Sequence, residues 1–244
     1  MDITVNVKYE ALLEKLLSKY PCFYFLKNQY LKHSDKRTWH LEREDRLIYC
    51  LQVIFIGKTG YGKSTTVNHI LGQQIFESSD IDSCTRECQS AMFQIHNSTD
   101  LYYFSLADLP GIGESIALDR KYIELYSEFL KLSDTVVYLL RADQRDFAVD
   151  RDTFSRLFAT KKQRDKVIIA LNSVDKIEPI NRSKPFKPSQ AQLENANKKM
   201  KIISDCFGIS EDKILYYSAT EEYNLDSLMK AIAQNLKARI DKWA

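Results

Sequence analysis

The stretch from Gly57 to Ser64, GKTGYGKS, is where residue types and spacing first specify a chemistry. Gly57, Gly62, Lys63 and Ser64 fit the pattern Gly, four residues, Gly, Lys, Ser or Thr of a phosphate-binding loop. Glycines let successive backbone N–H groups turn toward an anion, and a helix opening behind them adds the partial positive charge of its N-terminus. Lys63 is then expected to reach the outer phosphates of a nucleotide. Ser64 is expected to offer its hydroxyl to Mg2+, a hard cation that keeps waters and takes few protein ligands. Lys58, Thr59, Gly60 and Tyr61 form the body of the loop, and Thr65 follows it.

These residues need a strand before them and a helix after them, and the sequence supplies both. Cys50 to Ile56 is apolar, partly β-branched and too short for a helix, which suits a buried parallel strand. Ser64 to Leu71 reads as a helix closed by Gly72, and Gly208 stands at a second helix end. Cys88 to His96 and Leu101 to Ala107 read as a hairpin, and Asp108-Leu-Pro-Gly-Ile-Gly follows at once. A carboxylate and two glycines at a strand end lie where open α/β sheets place ligands.

Farther on, helices over Asp119 to Leu132, Phe147 to Thr160, Gln192 to Phe207 and Leu225 to Ile240 alternate with strands over Thr135 to Leu140, Val167 to Leu171 and Lys213 to Tyr217. Alternation of this kind implies an α/β fold, a mostly parallel six-stranded sheet with helices on both faces. Residues 176–190 hold three of the prolines and many basic residues and read as an exposed loop. Residues 1–49 precede this unit as an N-terminal helical extension, with a helix from about Lys8 to Tyr20, and 50–244 form the nucleotide-binding domain. The mixed charges of the extension favour packing on the main domain over a membrane-surface role.

The chain has 244 residues, 44% of them hydrophobic, and a formal charge of +2, which argues against a dedicated nucleic-acid binder held by charge alone. Five cysteines without paired spacing fit a reducing compartment; Cys84 and Cys88 lack the further ligands of a zinc site. No leader pattern and no transmembrane run of about 20 apolar residues is visible, so the expectation is a cytoplasmic protein.

Every loop expected at the C-terminal edge of the sheet carries a polar signature, and in order they resemble the GTP-binding proteins of the phosphate-loop class: GKTGYGKS, Thr85 in the first long loop, Asp108-Leu-Pro-Gly111, Asn172-Ser-Val-Asp175 and Ser218-Ala219-Thr220. The match is similar to the Era-like group within that class, and it implies a three-layer P-loop NTPase fold binding GTP or GDP with Mg2+. On that resemblance Thr85 closes over the metal and the γ-phosphate, Asp108 holds a metal-bound water, and Gly111 gives its N–H to the γ-phosphate. Lys63, Thr85 and Gly111 are therefore the catalytic candidates, and Ser64, Thr85 and Asp108 the metal set. Asn172 braces the loops, while Asp175, Ser218 and Ala219 meet the base. A carboxylate at Asp175 can accept from both N1–H and the exocyclic amine of guanine, whereas adenine offers an acceptor there, a difference worth roughly 10⁴-fold.

The chain departs from the family at three places. Ser173 stands where a lysine stem usually covers the base, which predicts weaker guanine affinity. Ile112 stands where the Ras-like branch has a water-orienting glutamine, which predicts slow intrinsic hydrolysis, on the order of 10⁻³ per second or below. Gly60 replaces the asparagine that holds potassium in some Era-like enzymes, so potassium activation is not expected. GKTGYGKS and DLPGIG also resemble the septin, immunity-related and AIG1-type GTPases, which pair across their nucleotide faces. That resemblance implies a homodimer in which Arg141 or Arg145 approaches the partner's site. The alternatives are a scaffold on ribosomal RNA using Lys176 to Lys187, or a membrane or stress-defence GTPase acting through residues 1–49.

Overall fold

The computed structural model describes residues 5–6, 10–28, 48–77, 88–97, 101–181 and 183–240. In chain order these form β1 (Val5–Asn6), α1 (Glu10–Lys19), a 3-10 turn at Pro21–Phe23, α2 (Phe25–Asn28), β2 (Ile48–Gly57), α3 (Lys63–Leu71), β3 (Gln89–Asn97), β4 (Leu101–Asp108), α4 (Ile116–Leu132) and β5 (Thr135–Arg141). They continue with α5 (Ala148–Leu157), α6 (Lys161–Arg164), β6 (Val167–Asn172), α7 (Gln190–Phe207), β7 (Ile214–Tyr216) and α8 (Leu225–Ile240).

One sheet runs β1-β3-β4-β2-β5-β6-β7. Its only antiparallel pair among the described residues is β3 with β4, the predicted hairpin, whose register shifts between Gln94 and His96. The six expected strands are all present, and Val5–Asn6 adds a two-residue strand at the β3 edge. β5 and β6 are buried along nearly their whole length, which is why VVYLL and VIIAL are continuously apolar rather than alternating.

Helices α1, α3 and α8 cover one face of the sheet, and α4, α5 and α7 cover the other. On the second face Phe154, Phe158 and Phe207 set their rings around Tyr138 at centroid distances of 5.5 to 6.3 Å. The helix expected over Phe147 to Thr160 is shorter, ending at Leu157, because Phe158 leaves helical backbone angles. Thr160 then caps the separate turn α6 in a reciprocal box with Gln163. Gly72 and Gly208 take the left-handed conformation at helix ends, with φ of 64° and 59°.

The apolar stripe of α1, Leu12, Leu13, Leu16 and Leu17, is buried in the common core. Its lysines reach across to α3: Lys15 Nζ donates to Gly72 O at 3.3 Å and Lys19 Nζ to His69 O at 2.9 Å. α1 is thus packed against α3 and shares one core with the sheet. No helix among the described residues is long and apolar enough to cross a membrane.

Candidate nucleotide site

Strand register brings the polar loops together. Phe55 pairs with Asp108, Gly57 with Leu139, Arg141 with Asn172 and Leu171 with Tyr216, so β2, β4, β5, β6 and β7 finish at one edge. Gln89, the first residue of antiparallel β3, lies opposite Asp108 at the same edge, and its Oε1 accepts from the Glu77 N–H at 3.0 Å. Thr85 lies between these two residues in sequence but outside the described residues.

The loop from Gly57 to Gly62 turns from β2 into α3. Gly57, at φ 144°, lies so close to β5 that a Cβ there would stand 2.6 Å from Leu139 O. Gly62, at φ 86°, caps the helix in a left-handed conformation. Lys63 is buried, and its ammonium donates to the loop's own carbonyls, Gly57 O at 3.3 Å and Lys58 O at 3.2 Å. Burial pulls its pKa down, against the opposing fields of Asp108 and Glu114. Ser64 Oγ donates to Asp108 Oδ2 at 2.5 Å. Asp108 is fully buried and its other oxygen, Oδ1, has no hydrogen-bond partner. Burial lifts its carboxyl to about 6, although Lys63 and Ser64 hold it down. Thr65 is half-buried on the first turn of α3.

The segment after Asp108 closes on this loop as a short parallel ladder. Leu109 N–H donates to Phe55 O at 3.1 Å, Ile112 N–H to Gly57 O at 3.3 Å, and Thr59 N–H to Ile112 O at 2.9 Å. Gly111 is needed for steric reasons: a Cβ there would lie 2.5 Å from Thr59 N and 2.6 Å from Thr59 Cα. Ile112 is buried beneath the ladder. Tyr126, on α4, donates from its hydroxyl to Pro110 O at 2.5 Å, fixing the segment from below.

On the far side, Asn172 at the end of β6 ties two loops to one strand. Its Nδ2 donates to Tyr61 O at 3.0 Å, and its Oδ1 accepts from Ala219 N–H at 3.1 Å. The N–H of Ala219, which the resemblance places against the base, is here directed at Asn172. Ser173 takes a left-handed backbone, φ 63°. Asp175 follows, with its Oδ1 buried and unpartnered. Ser218 is buried and accepts at Oγ from the Glu221 N–H at 3.3 Å.

Three features escape the sequence reading. The Tyr61 hydroxyl donates to Asp150 Oδ2 at 3.1 Å, so the phosphate loop is pinned from α5. Asp150 is buried with Oδ1 unpartnered, and burial raises it to about 6 against Lys58 and the Tyr61 bond. Thr59 Oγ1 donates to Glu114 Oε1 at 2.9 Å. A carboxylate at the third position of a helix that follows a site strand was the available signal for Asp150. Arg141 is engaged within its own chain, its Nε and Nη2 forking onto Asp143 at 2.9 and 2.6 Å, whereas Arg145 is exposed.

The sequence family described as 50S ribosome-binding GTPase matches residues 52–173, half of the chain. The chain belongs to this GTPase family. The matched region carries the phosphate loop, Asp108 to Gly111 and Asn172. The chain is also 35% identical over 152 residues to the uncharacterised Escherichia coli K12 protein YkfA, covering 62% of this chain and 50% of that one. It is 32% identical over 168 residues to E. coli YfjP, covering 68% and 56%. The chain thus spans about half the length of the curated relatives it matches.

Among solved structures, Aquifex aeolicus Era bound to GDP and AlF4− has a TM-score of 0.57 at 24% identity, covering 77% of this chain and 57% of that one. Arabidopsis thaliana Toc33 with Mg2+ and GMPPNP has a TM-score of 0.58 at 20% identity, covering 94% and 93%. These likenesses place the GTPase family's fold on this chain as an Era-like phosphate-loop domain.

Proposed function

We propose that the chain binds GTP and GDP with Mg2+ at this sheet edge and works as a slow GTP-hydrolysing switch. One observation carries the reading: two buried carboxylate oxygens without partners, Asp108 Oδ1 beside the phosphate loop and Asp175 Oδ1 beyond β6, stand at one edge with Lys63. Buried polar groups in folded proteins are nearly always paired, so these two oxygens at the loop edge are acceptors still open to a ligand.

The donor set near Asp108 fits Mg2+, since a buried carboxylate and a serine hydroxyl are hard oxygens. Ser64, Asp108 and Thr85 would hold the ion, which supplies neutralisation of phosphate charge when bound. Lys63 would exchange its loop carbonyls for the outer phosphates, and the glycine-bounded turn of residues 57–62 would cradle them with backbone N–H groups. Asp175 would take the two donors of guanine, and Asn172 would hold Tyr61 and Ala219 in register. Gly111 would present its N–H to the γ-phosphate. Buried Ile112 offers no group to orient water, so turnover is slow without help.

We expect that help from a second copy across the nucleotide face, with exposed Arg145 the better placed of the two candidate arginines. Dimerisation is described as important for the GTPase activity of the Toc33-type translocon components, whose fold this chain shares. The test is GTP hydrolysis against protein concentration from sub-micromolar to tens of micromolar, with GTP, GDP and ATP binding measured in parallel and Lys63→Ala as control. Specific activity that climbs with concentration supports completion by a second copy; a flat, slow rate supports an outside activator. Absence of guanine-nucleotide binding would refute the whole reading.

A second reading, a GTP-loaded scaffold on ribosomal RNA, is favoured by the family's ribosome-binding description and by an Era structure solved with 16S ribosomal RNA. Lys176 and Lys187 are exposed in the loop that would serve it. RNA binding that weakens steeply with salt and depends on these lysines would support it.

A further inference from the structure

We propose that Glu114 sets a preference for GDP over GTP by holding residues 110–114 shut on the phosphate loop, an inference that rests on the nucleotide reading above. Three contacts close the segment: Ile112 N–H to Gly57 O at 3.3 Å, Thr59 N–H to Ile112 O at 2.9 Å, and Thr59 Oγ1 to Glu114 Oε1 at 2.9 Å. The first two use only backbone and need no particular side chain beyond the space that Gly111 leaves. The third is a side-chain contact to a charged acceptor, and such bonds are roughly twice as strong as neutral ones.

The closed segment engages a group an outer phosphate would use. Phosphate loops bind anions through inward N–H groups, and the Thr59 N–H is occupied by Ile112 O. The Lys63 ammonium is held separately, by the phosphate loop's own carbonyls Gly57 O and Lys58 O. Glu114 also lies near enough to Lys63 for its field to favour the charged lysine, so its carboxylate sits in the same electrostatic environment as the phosphates. A terminal phosphate that recruits Thr59 must separate it from Ile112, draw Glu114 away, and tolerate a like charge nearby.

GDP, one phosphate shorter, leaves the ladder intact. GTP must open it. A ligand shifts an equilibrium only by its differential affinity for the two forms, so whatever stabilises the closed form penalises GTP and leaves GDP unaffected. Glu114→Gln keeps the size and an acceptor oxygen but removes the charge. Loss of the charge-assisted bond and of the repulsion together should favour GTP by about tenfold relative to GDP.

The experiment measures dissociation constants for GDP and for a non-hydrolysable GTP analogue with Mg2+, in wild type, Glu114→Gln and Thr59→Val. The expected result is a ratio of GTP-analogue to GDP affinity about tenfold higher in Glu114→Gln, driven by the analogue, with a smaller shift of the same sign in Thr59→Val. An unchanged ratio in Glu114→Gln, with both nucleotides bound, overturns the inference and leaves the nucleotide reading standing. A fall in turnover with no change in ratio also overturns it, since Glu114 would then serve hydrolysis rather than selectivity. Failure of wild type to bind either nucleotide overturns the nucleotide reading itself, and this inference with it.

Discussion

Asn172→Ala is expected to be among the most damaging single changes outside the apolar core. Asn172 is buried and its amide makes two bonds to groups that have few alternatives, donating to Tyr61 O at 3.0 Å and accepting from Ala219 N–H at 3.1 Å. Truncation leaves one carbonyl and one N–H unsatisfied in the interior, each costing about 1–3 kcal/mol, so the sum is about 3 kcal/mol after some relaxation. For a domain of this size that lowers Tm by about 6–12 °C. The loss should be coupled to function, because Tyr61 belongs to the phosphate loop and Ala219 to the base loop. Nucleotide affinity is expected to fall at least about tenfold, since both loops must be re-ordered on binding. Asn235→Ala is the comparison: Asn235 makes a single, longer bond to Lys166 O at 3.3 Å from a half-buried site, and its loss should cost less than about 1 kcal/mol. Thermal melting and nucleotide titration of both variants decide the matter. A Tm drop for Asn172→Ala no larger than that for Asn235→Ala would refute the claim that this side chain holds the site together.

Asp150 gives a pH signature. Its folded carboxyl is raised to about 6 from a reference of 3.8, so between these values the folded chain holds more protons than the unfolded one and stability falls as pH rises. Asp150→Asn removes that term, so the variant's stability relative to wild type should rise by about 2 kcal/mol between pH 4 and pH 7, read from denaturant melts at each pH. Gly111→Ala should force the ladder apart, and hydrogen exchange should show lost protection at the Thr59 and Ile112 amides while β5 and β6 stay protected. Two net backbone bonds of about 1 kcal/mol each predict roughly 30-fold faster exchange there. Asp175→Ala should cut the preference for GTP over ATP by at least about 100-fold through loss of GTP binding, with ATP binding little changed in competition assays.

Much of this architecture was legible because the sequence repeats its instructions at several levels. VIFIG before the phosphate loop, VVYLL and VIIAL are short, β-branched and apolar, and each is followed by a polar loop, so both the strands and the edge that carries the site could be read. Boundaries were less legible where backbone geometry decides them. Phe158 ends α5 although the apolar spacing runs on, and only the reciprocal Thr160–Gln163 cap explains why a new turn starts. The closure of Gly111 and Ile112 onto Thr59 depends on backbone bonds between segments more than 50 residues apart, which no local pattern encodes. Glu114 was invisible for the same reason, and Asp150 offered only its place in the first turn of a helix. Each looks like an ordinary acidic residue near a helix start, and its meaning comes only from Tyr61 or Thr59 arriving beside it.

The N-terminal helix acquires a physical role from where its charges end. α3 begins at the phosphate loop and ends before Gly72, and at that end the Gly72 and His69 carbonyls accept from Lys15 and Lys19 of α1, the favourable sign for a helix C-terminus. His69 Nδ1, in the same turn, lies 3.2 Å from Glu222, which follows the Ser218-Ala219-Thr220 loop. Asn68 accepts from the Ile75 and Phe76 N–H groups at 2.9 and 2.8 Å and donates to Phe76 O at 2.8 Å, fixing the chain just before Glu77. One helix therefore touches the phosphate loop at its start and, at its end, α1, the base loop and the approach to Thr85. With its leucines in the core and its lysines on α3, α1 cannot be pulled away by a partner without disturbing that helix. Displacing α1 would therefore disturb the helix that opens at the phosphate loop.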